Sequence, residues 1–251
     1  MAAPLIQATN LCKEHRLGDT TVAALRGVSL TLETGEFIAI MGPSASGKST
    51  LMHLLGLLDH PSAGGCLLLA GRDVMNLNPD ERARVRAQEI GFIFQAFNLL
   101  GRSTAIENVE LAMTYAGIPR SERRRRAAMA LEKVGLGHRQ HHWPGQLSGG
   151  EQQRVAIARV LAAGPGLILA DEPTGALDTA TGREIMALLQ DLNRAGRTII
   201  LVTHDPAVAG YAQRIVRMQD GCAISDGPVV RDDGSKGMIS QDLAVSEMVA
   251  S

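Results

Sequence analysis

Phe37-Ile-Ala-Ile-Met41 runs directly into Gly42-Pro-Ser-Ala-Ser-Gly-Lys-Ser-Thr50, and Leu51, Leu54, Leu55 and Leu58 follow at helical spacing. A buried strand, a glycine-bearing loop and a helix, in that order, make a cradle for phosphate. The pattern Gly-x4-Gly-Lys-Ser is met by Gly42, Gly47, Lys48 and Ser49. Glycines let the backbone curl so that successive N–H groups point inward at phosphate oxygens. The candidate nucleotide-binding set is therefore Gly42, Ser44, Ala45, Ser46, Gly47, Lys48, Ser49 and Thr50. The helix starting near Lys48 adds the positive end of its dipole. Lys48 would bridge the β- and γ-phosphates of ATP, and Ser49 would offer its hydroxyl to Mg²⁺.

Two further apolar runs, Leu167–Ala170 and Thr198–Val202, read as buried strands. They end in Asp171-Glu172 and Thr203-His204-Asp205. In open α/β sheets ligands sit beyond the carboxyl ends of strands, so three strand ends deliver reactive groups to one place. Asp171 would hold Mg²⁺, and Glu172 would orient or deprotonate an attacking water. The plainer reading, that Asp-Glu-Pro merely ends a strand at the surface, does not account for its position after a phosphate loop.

Composition bounds the remaining possibilities. Of 251 residues 45% are hydrophobic, enough for a large core. Lys and Arg total 25 against 26 Asp and Glu, and aromatics are 3%. That balance offers no general attraction to nucleic acid, and few rings on which bases could stack. No nucleic-acid partner is expected. Cys12, Cys66 and Cys222 show no zinc spacing and suit a reducing compartment. Met1–Asn10 lacks the pattern of a secretory leader, and no stretch approaches the ~18 apolar residues of a membrane span. The basic stretch Arg120–Arg126 reads as a solvated helix face.

The expected fold is α/β: a phosphate-loop core with a mainly parallel sheet, an antiparallel β subdomain, and an inserted helical subdomain. Leu5–Lys13, Val22–Leu32 and Cys66–Ala70 read as the strands of the antiparallel part. The helical part is placed at about 97–160 within a domain of residues 1–226. Residues 227–251, polar and Gly-rich at their start, read as a loosely held tail.

About 100 residues after the phosphate loop the chain reads Leu147-Ser-Gly-Gly-Glu-Gln-Gln-Arg154. With the motifs above, this order resembles the nucleotide-binding subunits of ABC transporters, P-loop NTPases, over roughly Leu5 to Asp226. The resemblance implies ATP hydrolysis by a head-to-tail dimer of two copies. It makes Ser148, Gly149 and Gly150 the cap on the γ-phosphate of ATP held by the other copy. A Ser-Gly-Gly turn opening a helix is itself an anion site. It makes Gln95 the glutamine that ligates Mg²⁺, His204 the switch histidine and Asp178 the interface aspartate. Singly, His204 reads equally as a strand-end histidine, Gln95 as a polar cap and Asp178 as an N-cap. The adenine-stacking position falls on His15, where the family usually has a stronger-stacking aromatic. Ala45 and Glu151 stand where the family often has glycine and glutamine.

Gln95-Ala-Phe-Asn-Leu-Leu100, Thr104–Val109 and Tyr115-Ala-Gly-Ile118 resemble one branch, the ATPases of the macrolide-export (MacB), lipoprotein-release (LolD) and cell-division (FtsE) type. That branch implies a permease of four spans per chain, expected here as a separate subunit that docks near Ala96–Tyr115. The ATPase is then expected at the cytoplasmic face of the inner or plasma membrane. A nutrient importer ATPase shares every catalytic motif and remains the first alternative, with a soluble ABC ATPase outside transport as the second.

Overall fold

The computed structural model describes residues 4–229 except 19 and 63. The chain begins with strands β1 (Ile6–Leu17), β2 (Thr20–Leu32) and β3 (Phe37–Met41), then helix α1 (Lys48–Leu55). Strands β4 (Cys66–Leu69) and β5 (Arg72–Asp73), helix α2 (Pro79–Glu89) and strand β6 (Ile90–Phe94) follow. Helices α3 (Ala105–Tyr115), α4 (Arg120–Lys133) and α5 (Gly149–Ala163) come next. The described chain closes with β7 (Leu167–Asp171), α6 (Thr179–Arg194), β8 (Thr198–Thr203), α7 (Pro206–Ala209), β9 (Arg214–Gln219) and β10 (Cys222–Pro228).

One sheet is antiparallel, in the order β2-β1-β4-β5; the other has six strands, in the order β10-β9-β3-β8-β7-β6. In the second, β9, β3, β8, β7 and β6 are parallel and β10 runs antiparallel at the edge. Its central strands are buried on both faces, which is why they read as unbroken apolar runs. Period-two alternation divides them between two cores. Phe37, Ala39, Ile168, Ala170, Ile199 and Leu201 face the helical side, with α3 to α6. Ile38, Ile40, Leu167, Leu169, Ile200 and Val202 face α1 and the antiparallel sheet.

The hairpin β1–β2 is longer than its apolar pattern predicts. Apolar alternation stops near Lys13, yet pairing continues through His15↔Val22 to Leu17↔Thr20. Register shifts between Ala8 and Leu11 and between Lys13 and Glu14 allow the ribbon to twist as it leaves the core. Residues 227 and 228 finish β10, opposite Ile215 and Arg214, so ordered structure runs into the segment expected as a tail. Residues 230–251 of that tail lie outside the described residues.

The helical insertion is built by capping. Thr104 and Glu107 form a capping box at the start of α3, and Ser148 and Glu151 form another at α5. On α4, Arg126 pairs with Glu122, Arg124 with Glu110, and Arg123 donates to the Ile118 carbonyl and to Thr114. These partners are local, as a solvated helix face has. No helix among the described residues is long and apolar enough to cross a membrane.

Candidate active site

β3 delivers the phosphate loop at its carboxyl end. Gly47 carries φ 96° and starts α1, and a Cβ there would lie 2.5 Å from the Ala24 carbonyl oxygen. A Cβ on Gly42 would lie 2.2 Å from the Met218 carbonyl oxygen. The loop is therefore pressed between β2 and β9, and only glycine fits at either contact. The β9–β10 turn closes the support: the Gly221 N–H donates to the Ser46 carbonyl (3.1 Å), and the Arg26 N–H donates to the Gly221 carbonyl (2.9 Å). Ala45 takes φ 63°, which explains why glycine is common at this position; a Cβ there costs ~1–2 kcal/mol.

Lys48 is buried at 8% exposure, and its ammonium donates to the carbonyls of Gly42 (2.8 Å) and Pro43 (2.7 Å). Burial holds that ammonium below its ordinary range, against the opposing pull of Glu172 and Asp171. Asp171 ends β7 and is pushed the other way: burial, then the charge of Glu172, raise its carboxyl above the usual carboxylate range, against His53 and Lys48.

Glu172 follows with a left-handed backbone, φ 45°, pinned by its N–H to the Val202 carbonyl at 2.9 Å. Such a conformation is costly for a residue with a side chain and persists only where its surroundings hold it. Its Oε1 accepts from the His204 backbone N–H (3.0 Å) and pairs with His204 Nδ1 (2.6 Å); the Thr203 hydroxyl donates to Oε2 (3.3 Å). The histidine side chain is 69% exposed.

Gln95 is exposed just beyond β6, and its amide nitrogen lies 2.8 Å from where a Cβ on Gly175 would be. Ser49 is exposed on the first turn of α1, and Thr50 is half-buried beside it. Ser44 is exposed and Ser46 buried. Ser49, Gln95 and Asp171 offer oxygen donors of the hard kind that Mg²⁺ takes, with a single carboxylate among them, and so they fit that ion together with nucleotide phosphates.

The other predicted residues stand elsewhere. Ser148, Gly149 and Gly150 open α5, and among the described residues no hydrogen bond joins them to Lys48 or Ser49. A Cβ on Gly149 would lie 3.3 Å from Leu177, and one on Gly150 2.4 Å from Thr181. Glu151 donates its N–H to Ser148 Oγ, which leaves the serine O–H free to donate outward. The Ser148 N–H, bonded to the Glu151 carboxylate, is the main reason that carboxyl sits below the usual range. Asp178 N-caps α6, accepting from the N–H groups of Ala180 and Thr181 and from the Thr181 hydroxyl. His15 is exposed on the distal part of β1, opposite the 45% exposed Val22.

Sequence reasoning overlooked the supports. Thr203 holds Glu172 yet reads only as a polar strand end. Gln153 lies at helical spacing with the buried Ala156, Ile157 and Val160, a polar residue on an apolar stripe. Arg159 donates to the carbonyls of Phe97 (3.2 Å) and Asn98 (2.6 Å), both left-handed at φ 59° and 51°.

Asp171→Asn is expected to raise the melting temperature of the nucleotide-free protein at neutral pH. The folded carboxyl titrates above its unfolded value. The fold thus favours the protonated form, an advantage complete below the unfolded pKa and lost as pH rises through the folded one. Asparagine removes that loss at neutral pH, so the gain should fade in acid. Thermal melts across pH check it.

The family model described as ABC transporter matches residues 25–175. A macrolide export ATP-binding/permease protein MacB of Hyphomonas neptunium is 54% identical over 226 residues, 90% of this chain. The chain spans 35% of the length of that relative. An uncharacterized ABC transporter ATP-binding protein of Thermotoga maritima is 52% identical over 217 residues, 86% of this chain and 92% of that protein. The dimeric cassette MJ0796 in a post-hydrolysis state with ADP and Pi superposes with a TM-score of 0.82 at 42% identity, covering 90% of this chain and all of that one. cbiO1 of Clostridium perfringens, part of the cbiONQ transporter complex, gives 0.79 at 30% identity, over 90% of this chain and 89% of that one. The chain belongs to the ABC transporter family.

Proposed function

We propose that this cassette powers a MacB-like export or mechanotransmission system at the cytoplasmic face of a membrane, through a permease of the four-span type. The observation that supports this branch is the 54% identity to a MacB protein across 90% of the chain, against 30% to cbiO1.

In this reading two copies pair head to tail around two ATP molecules. Each adenine lies on His15 and the cross-strand Val22. The phosphates sit in the loop from Gly42 to Thr50, where Lys48 exchanges its bonds to the Gly42 and Pro43 carbonyls for bonds to the β- and γ-phosphates. The Ser148 hydroxyl and the N–H groups of Gly149 and Gly150 cap the γ-phosphate of the ATP held by the other copy. Ser49, Gln95 and Asp171 would hold Mg²⁺, which would supply neutralisation of the phosphate charge.

Glu172 accepts the proton of the attacking water. The bonds from His204 and Thr203 fix the direction of its carboxylate, and the other nitrogen of His204 reaches the γ-phosphate. Asp178 stiffens the turn beside the second copy. Hydrolysis removes the shared γ-phosphate, the copies part, and the segment 96–115 passes the motion to the permease.

The test is capture of the partner. A tagged Glu172→Gln form, trapped with ATP in native membranes and gently solubilised, is expected to retain a permease with four spans per chain and a large outer domain. A many-span permease with a binding protein would make this an importer cassette. A purely soluble partner would overturn the transport reading.

A further inference from the structure

Gln153 is fully buried, on a helix whose neighbouring buried positions are all apolar. Its amide nitrogen donates to two backbone carbonyls, Phe94 at 3.3 Å and Pro173 at 2.6 Å. Two carbonyl partners settle which end of the amide carries the hydrogens. The partners themselves are informative. Phe94 ends β6 and immediately precedes Gln95. Pro173 immediately follows Glu172. The two strand ends are already adjacent, because Phe94 pairs with Asp171 in the sheet. One side chain from α5 therefore grips the backbone on both sides of this junction, one and a half turns from Ser148.

We infer that Gln153 is a positioning residue: it fixes the Ser148–Gly150 turn at the head of α5 to the backbone carrying Gln95 and Glu172 of the same chain. This rests on the roles proposed above for those residues. A helix moves as a body, so a strap at its second turn transmits displacement of its N-terminus to the two strand ends. An apolar residue of similar volume would fill the same space at lower desolvation cost, so packing alone does not call for an amide. Arg159, further along α5, grips the carbonyls of Phe97 and Asn98, which extends the same attachment along residues 94–98. When the γ-phosphate of one site draws in the Ser148 turn of the other chain, Gln153 moves that chain's own Glu172 and Gln95 into register. Firing at each site is thereby tied to closure at the other.

The test compares Gln153→Met, which keeps volume and loses both donors, with Gln153→Asn, which keeps an amide too short to span both carbonyls. Mg·ATP affinity, turnover per folded molecule and melting temperature are measured for both, with Glu172→Gln alongside. The expected result is turnover lowered ~10–100-fold, the scale of a small misplacement of reacting groups, with nucleotide affinity changed less than about threefold. A residue that only packs would lower the melting temperature and leave turnover per folded molecule alone. If Gln153→Met does not fold, Gln153→Asn carries the comparison. Wild-type turnover in a folded Gln153 variant, with Glu172→Gln inactive, would overturn the strap alone. Wild-type turnover in Glu172→Gln would overturn the site reading, and the strap with it.

Discussion

Glu172→Gln is expected to lower ATP turnover by about 10²–10⁴-fold while leaving ATP affinity nearly unchanged. The substitution preserves size: the amide oxygen can still accept from the His204 N–H, and the amide nitrogen, in the other place, donates to the Thr203 hydroxyl oxygen. What disappears is the capacity to take a proton from water. The backbone is untouched, because the φ of 45° is enforced by the bond to Val202 and suits glutamine no worse than glutamate. Binding without cleavage leaves the sandwiched γ-phosphate in place, so the variant should accumulate as a dimer with Mg·ATP. Phosphate release at saturating nucleotide and sedimentation with and without ATP measure both halves. Full turnover would remove Glu172 from the chemistry.

Lys48→Ala should fail at the earlier step. A charge-assisted bond to phosphate contributes ~1.5–3 kcal/mol, so affinity should fall at least about 10–100-fold. The ammonium is also the donor that satisfies the Gly42 and Pro43 carbonyls, so its removal loosens the empty loop as well. Arginine should not rescue it: a planar fork cannot take the place of a compact ammonium held at 2.7–2.8 Å by two carbonyls inside the loop. Nucleotide titration separates the two variants, since only Lys48→Ala should lose binding. Retained affinity in that variant would show that the loop backbone alone holds the phosphates.

Legibility in the sequence followed from how local each signal is. The phosphate loop, the Asp171-Glu172 strand end and the Thr203-His204 strand end lie in short segments where an apolar run stops at polar residues, and they fall where that pattern implies. Sheet order was not readable, because the partners of β3 lie far along the chain: β8 on one side and β9 on the other. Ile90–Phe94 drew notice only for the glutamine after it, although it is the edge strand that places Gln95 beside β7. The hairpin beyond Lys13 continues by backbone pairing alone, which leaves no hydrophobic mark. Gln153 did leave one, a lone amide on a buried stripe, but its meaning depends on two carbonyls from distant strands. Asp178 carries two readings at once: it visibly caps α6, and capping does not conflict with a place at an interface.

The backing of the phosphate loop by Met218 and Gly221 bears on how the protein comes into being. On the ribosome the loop leaves the exit tunnel ahead of its backing, with its glycines, lysine and helix already in line. The carbonyl that presses on Gly42 and the N–H that holds Ser46 belong to Met218 and Gly221, which emerge far later than the loop. A nascent chain thus carries the complete motif without the wall that shapes it. Firm capture of nucleotide waits for β9 and its turn, and becomes a mark of a finished cassette.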